Sequence, residues 1–94
     1  MSEVVVIARA KAQPGREEEM AAALRAVAEP SRADSGCISY SVLRGDEGLF
    51  MTVERWETRG HVDQHMTTPH VQTLLHTIAP MLAAPPDIQV LEEV

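Results

Sequence analysis

The chain has 94 residues, the size of one small domain with a modest core. Its 8 basic and 14 acidic residues leave a formal net charge of −6, which repels a phosphate backbone and argues against nucleic acid as a partner. No apolar stretch is long enough to span a bilayer, and the run in MSEVVVIARAK has neither a basic leader nor a small-residue cleavage site, so a soluble, cytoplasmic protein without membrane insertion is expected.

Residues Glu3 to Lys11 alternate as a strand, with Val4, Val6, Ala8 and Ala10 on one face and Val5 and Ile7 on the other, so both faces are apolar at the centre. Gln13-Pro14-Gly15 ends it, and Glu17, Glu18 and Glu19 suit the positive end of a following helix dipole. Met20, Leu24, Val27 and Ala28 form that helix's buried stripe, and Pro30 is expected to end or kink it. Asp34-Ser35-Gly36 reads as a turn. A second strand from Cys37 places Ile38, Tyr40 and Val42 on one face, and Gly45-Asp46-Glu47-Gly48 returns it as a hairpin into Leu49–Trp56. There Phe50, Thr52, Glu54 and Trp56 share a face. Cys37 has no second cysteine to pair with and is read as a buried structural thiol.

Thr58 suits an N-cap for a short helix with Val62 and Met66 as its apolar pair, and Thr68 caps the next, with Pro69 first in the helix. Val71, Leu74, Leu75, Ile78 and Leu82 give that helix its stripe, with its regular part ending near Pro80. Ala83 to Pro86 is a stiff connector to a last strand holding Ile88, Val90 and Leu91. The order β-α-β-β-α-β, with the second helical segment broken in two, is the split βαβ, ferredoxin-like arrangement: an antiparallel sheet with its helices on one face. The bare face would carry Val5 and Ile7, or else Val4 and Val6, and is apolar in either case, so a symmetric homodimer through the open sheet face is expected.

The chain resembles the antibiotic biosynthesis monooxygenase domains. The resemblance runs along nearly its whole length (residues 1–94, one domain), through Pro14-Gly15-Arg16-Glu17, Ser31-Arg32-Ala33-Asp34-Ser35-Gly36-Cys37, Glu54-Arg55-Trp56 and, most specifically, His65-Met66-Thr67-Thr68-Pro69-His70. It implies a dimeric α+β barrel. It is most similar to the small quinol monooxygenases, which oxidise hydroquinones with molecular oxygen and no cofactor, neither flavin, haem nor metal. The His-x-Thr-Thr-Pro-His run is also similar to that of a relative that isomerises a phosphorylated quorum-sensing sugar. The haem-degrading branch fits poorly, because VVVIARAK holds no Asn and residues 60–82 hold no Trp.

The segment from Glu54 to His70 holds the only Trp and three of the four His, and supplies most of the candidates for chemistry. His65 is the first, as a base able to take a phenolic proton; its bland alternative is a backbone-bonded His at the helix junction. His61 lies one turn earlier at i, i+4, a spacing that suits a metal, but no third ligand stands at recognisable spacing, so no metal is assigned. Trp56 is either a stacking wall for a flat substrate or a core plug, and Tyr40 either aims its hydroxyl at the same pocket or is an ordinary strand tyrosine. These three, His65, Trp56 and Tyr40, form the catalytic set. Glu54 orients a histidine or pairs an arginine. His70 bonds a ligand or caps its helix, and Arg32 holds an anion or seals an interface. Met66 and Leu74, with Val62, would wall the substrate. His76 has no role. The expected function is a cofactor-independent monooxygenase or quinol oxidase acting on a small aromatic with O2. Two alternatives remain: an isomerase of a phosphorylated small carbohydrate, using Lys11, Arg32 and Arg55 for phosphate, and a non-catalytic dimeric binding domain.

Overall fold

A computed structural model describes residues 3–94; Met1 and Ser2, where the reading of a leader begins, lie outside the described residues. The elements are β1 (Val4–Lys11), α1 (Glu17–Arg32), β2 (Cys37–Arg44), β3 (Leu49–Trp56), α2 (Arg59–Met66), α3 (Pro69–Ile78), a 3₁₀ turn (Ala79–Met81) and β4 (Asp87–Glu92). This is the order read from the sequence. No helix among the described residues is long and apolar enough to cross a membrane.

All strand pairs are antiparallel, in the order β2-β3-β1-β4. The sheet is therefore open, with β2 and β4 as free edges. This corrects the expectation of a dimeric α+β barrel: closure needs the two edge strands to pair with each other, and here β2 and β4 stand at opposite margins of a four-stranded sheet in a single chain.

Alternation along the strands decides which face the helices cover. Val4, Val6, Tyr40, Phe50, Thr52, Glu54 and Trp56 are buried, while Val5, Ile7, Met51 and Val53 are only partly covered. The core lies between the first set and the helices, in two adjoining clusters. One gathers Val4, Val6, Val27, Tyr40, Val62 and Val71 around Trp56; the other gathers Met20, Leu24, Ile78 and Met81 around Phe50. Met20, Leu24, Val27 and Ala28 are indeed the buried stripe of α1.

Two local readings differ from the structure. Helix α1 does not stop at Pro30 but runs on to Arg32. It closes through i→i+3 bonds from the Ala33 and Asp34 N–H groups to the Pro30 and Ser31 carbonyls at 3.2 and 3.1 Å, so the last turn tightens after the proline, which itself gives up the one bond its N–H would have made to the Ala26 carbonyl. In β2 the register shifts between Cys37 and Ser39. That bulge leaves Ile38 48% exposed and packs Cys37 against the Trp56 cluster, reversing the faces assigned by simple alternation at the strand's start.

The second helical segment breaks as expected. Thr58 Oγ1 accepts from the His61 N–H at 3.2 Å, and Thr68 Oγ1 accepts from the Val71 N–H at 3.4 Å. The Thr68 hydroxyl also donates to the His65 carbonyl at 2.7 Å, tying the end of α2 to the start of α3. At the other end of this region Gly36 adopts φ +83°, and a Cβ built there would lie 2.2 Å from Cγ of His61. Gly36→Ala therefore combines a left-handed backbone with a clash against a ring. It should cost about 1–3 kcal/mol, measurable as a lower urea midpoint at unchanged slope.

Candidate active site

The hairpin register brings the site together. Cys37 pairs with Trp56, so the turn that precedes β2 lies beside the end of β3, where α2 departs. Asp34 in that turn is the hub. Its Oδ2 accepts from His65 Nδ1 and from His70 Nε2, each at 2.8 Å. A carboxylate oxygen can only accept, so in the neutral imidazoles Nδ1 of His65 and Nε2 of His70 carry the protons. That leaves Nε2 of His65 with its lone pair, 3.9 Å from Glu54 Oε1.

Glu54 is 4% exposed. Its burial is made tolerable by two donors, Trp56 Nε1 at 3.0 Å to Oε1 and Thr52 Oγ1 at 2.7 Å to Oε2. The i, i+2 spacing of Thr52, Glu54 and Trp56 on one strand face sets up this chain of contacts directly. His65, also 4% exposed, lies against the Trp56 ring with centroids 4.5 Å apart, and the Tyr40 ring meets it edge-on at 6.0 Å.

Between this polar group and α3 lies a cavity of about 70 Å³, several times the roughly 10–15 Å³ that one water needs. His65, Glu54, Thr52 and Tyr40 line it on one side; Val6, Ala8, Leu24, Phe50, Val71, Leu74 and Ile78 supply apolar walls, and the exposed Pro86 and Ile88 belong to its rim. Burial first, and the Glu54 carboxylate second, push the Tyr40 phenol well above its ordinary value of 10.0, so it faces the cavity as a neutral hydroxyl.

The candidates named from the sequence divide clearly. His65, Tyr40, Glu54, Met66 and Leu74 line one cavity. Trp56 does not: it is fully buried and stands behind His65 and Glu54. Val62 is likewise in the core beside it. His70 joins the group through Asp34, on the side of a shallow groove between α1 and α3. Arg32 is exposed, and its Nε donates to the Tyr40 carbonyl at 3.1 Å. His61 turns away to share a 2.8 Å hydrogen bond between its Nδ1 and Thr58 Oγ1. Lys11, Arg32 and Arg55 do not converge. Lys11 pairs with Leu49 at the far end of the sheet, and Arg55 pairs with Val5 and reaches Glu3 at 3.2 Å. Asp34 and Thr52 are the residues that the sequence reading did not assign to the site. The hairpin held the signal for Asp34, since the start of β2 must lie beside the end of β3.

Residues 3–76 match the model of the antibiotic biosynthesis monooxygenase family. The chain belongs to that family. Among its relatives, Rv0793 of Mycobacterium tuberculosis is 33% identical over 96% of this chain and 90% of its own length. Protein sll1783 of Synechocystis is 33% identical over 93% of this chain, which spans only 60% of that longer protein. The solved structure of Rv0793 superposes with a TM-score of 0.93, covering 99% of this chain and 96% of the other. PA3566 of Pseudomonas aeruginosa, 29% identical, gives 0.89 over 100% and 96%. The family's fold and the Asp34–His65–His70 cluster thus occupy one continuous match.

Tyr40 is the only tyrosine in this family member, which makes its titration directly visible. The unfolded phenol ionises near pH 10 while the folded one stays neutral above it, so this share of stability is complete below pH 10 and is lost as pH rises beyond it. Between pH 9 and pH 11 the wild type should lose about 1 kcal/mol more stability than Tyr40→Phe, read from urea unfolding. The phenolate absorbance of the folded protein should rise only well above pH 10.

Proposed function

We propose that this protein is a cofactor-independent monooxygenase or quinol oxidase acting on a small aromatic diol with O2. The observation that carries the reading is that His65, its Nδ1 held by Asp34, lines an apolar cavity between the sheet and α3. Family membership and the provisional monooxygenase names of Rv0793 and of YcnE from Bacillus subtilis support the reaction class.

In this mechanism a quinol enters between the β-sheet and α3, with its ring against Leu24, Phe50 and Leu74 and one hydroxyl at His65. Nε2 takes the phenolic proton, and the charge that develops on the imidazole is countered by Asp34 on one side and Glu54 on the other. Exclusion of water by the apolar wall leaves the phenolate electron-rich, and it reduces O2 directly. In the oxidase outcome the quinol gives two electrons and two protons to O2, forming quinone and hydrogen peroxide. In the monooxygenase outcome one oxygen atom remains on the ring as a hydroxyquinone and the other leaves as water. The substrate supplies all the electrons. Tyr40, held neutral, donates a hydrogen bond to the second oxygen of the ring, while Trp56 acts at one remove by holding Glu54 and backing His65.

Oxygen uptake by EDTA-treated protein with a reduced naphthoquinone should exceed autoxidation. His65→Gln should lower kcat by about 10²–10⁴-fold. Asp34→Asn, which leaves the imidazole but loses the carboxylate that fixes its tautomer, should lower kcat with little change in KM. Full turnover in His65→Gln would remove the base from this mechanism.

A further inference from the structure

The hub of the site has an unusual charge balance. Asp34 and Glu54 flank His65 on opposite sides, and among the described residues neither makes an ion pair with a lysine or arginine; their only basic contacts are His65 and His70. With both imidazoles neutral, two carboxylates, one 4% exposed and the other with a 17% exposed side chain, share a small volume without a fixed cation. The nearby donor atoms are of one kind. Asp34, His65 and His70 each offer a ligand atom, all within 4.8 Å of one another, and two of the three separations are 2.8 Å. Ligands of one zinc ion bound at about 2.0–2.2 Å stand roughly 3–3.5 Å apart, so a few tenths of an ångström of opening on the two 2.8 Å sides, with the third already within 4.8 Å, brings the triad close to ligand spacing.

We propose that Asp34 Oδ2, His65 Nδ1 and His70 Nε2 form a binding site for a divalent transition-metal ion of the zinc type. Three features beyond the donor set support it. The ligands come from three separately anchored segments, the turn before β2, the end of α2 and the start of α3, so the triad is assembled by the fold rather than by a flexible loop. Asp34 and His70 are partly exposed, with side chains 17% and 22% accessible, which gives an ion a path in. Glu54 then falls in place as an outer partner: with Nδ1 on the metal, His65 must carry its proton on Nε2, which faces Glu54 Oε1 at 3.9 Å. A carboxylate behind a metal-bound histidine orients the ring and strengthens the ligand. Two imidazoles and one carboxylate suit zinc, cobalt or nickel better than magnesium or calcium, and leave at least one coordination position for water.

The ion and the base compete for one residue. A metal on Nδ1 forces the proton onto Nε2, and the lone pair that the proposed reaction needs is gone. This consequence rests on that reaction, whereas binding itself does not: zinc should act as a reversible inhibitor of quinol-dependent oxygen uptake, relieved by EDTA.

The test is calorimetric titration of Zn²⁺ into the EDTA-treated, dialysed 94-residue chain. One ion per chain is expected, with affinity lowered at least about a hundredfold in Asp34→Asn and in His70→Gln, and unchanged in His76→Asn, which alters an exposed histidine outside the cluster. Glu54→Gln should weaken binding by about 10–100-fold. Should Asp34→Asn fail to fold by circular dichroism, His70→Gln and the visible absorption of bound Co²⁺, expected in the wild type and lost in His70→Gln, decide the matter. No saturable binding, or binding that survives both Asp34→Asn and His70→Gln, overturns the site. Binding at the triad without loss of oxygen uptake would count against His65 as the base and leave the ion site standing.

Discussion

A single carboxylate oxygen, Oδ2 of Asp34, connects the turn before β2 to both halves of the broken second helix. Each hydrogen bond is short, and each joins residues more than thirty positions apart, so the contact closes long loops that would otherwise be held by apolar packing alone. The same oxygen fixes the tautomer of the neutral His65, with the proton on Nδ1 and the lone pair on Nε2. Structure and chemistry meet here because the group that ties α2 and α3 to the turn before β2 also sets which ring nitrogen of a cavity-lining histidine carries its proton.

Behind that hub, the Thr52-Glu54-Trp56 face of β3 solves a separate problem, the placement of a carboxylate inside an apolar core. Trp56 is the largest side chain in the core and has only one polar atom, and its N–H is spent on Glu54. The ring fills volume between Val4, Val27 and Val62 while its edge secures the acid, so the hydrophobic and polar roles of the residue are inseparable. Of the two readings of Trp56 open in the sequence, stacking wall and core plug, the structure gives the second: the ring is fully buried away from the cavity, and its N–H bonds to the carboxylate that lines it.

The element order was legible from local signals: strand alternation, the stripe of α1, the hairpin turn at Gly45–Gly48 and the two threonine caps. Glu54 and His65 were legible as neighbours, because the period of two placed Glu54 on the buried face of β3 and the short helix carried His65 to it, whereas the same period gave no sign that Thr52 lines the cavity and Trp56 does not. Three things were not legible. The bulge at Cys37–Ser39, which sets Cys37 rather than Ile38 beside the Trp56 cluster, is a matter of cross-strand register that no local pattern records. The continuation of α1 through Pro30 depends on the last turn finding i→i+3 bonds. Asp34 looked like ordinary turn chemistry, since Asp before Gly is common in turns for reasons unrelated to catalysis; only tertiary pairing of β2 with β3 gives it two histidines. Closure of the sheet into a barrel was inherited from family resemblance, and the open order β2-β3-β1-β4 does not contain it.

The interruption between α2 and α3 carries a further implication. In an unbroken helix, residues five apart such as His65 and His70 would project about 140° from one another and could not meet on one oxygen. The break at Thr67-Thr68, with Pro69 restarting the chain, lets both rings turn to Asp34. Local helical continuity and the assembled histidine pair are therefore mutually exclusive outcomes for this segment. Selection or engineering for a more regular helix there, by removing the proline and the capping threonine, would be rewarded in secondary-structure propensity and would dismantle the cluster. The segment is an instance where greater local order works against the site.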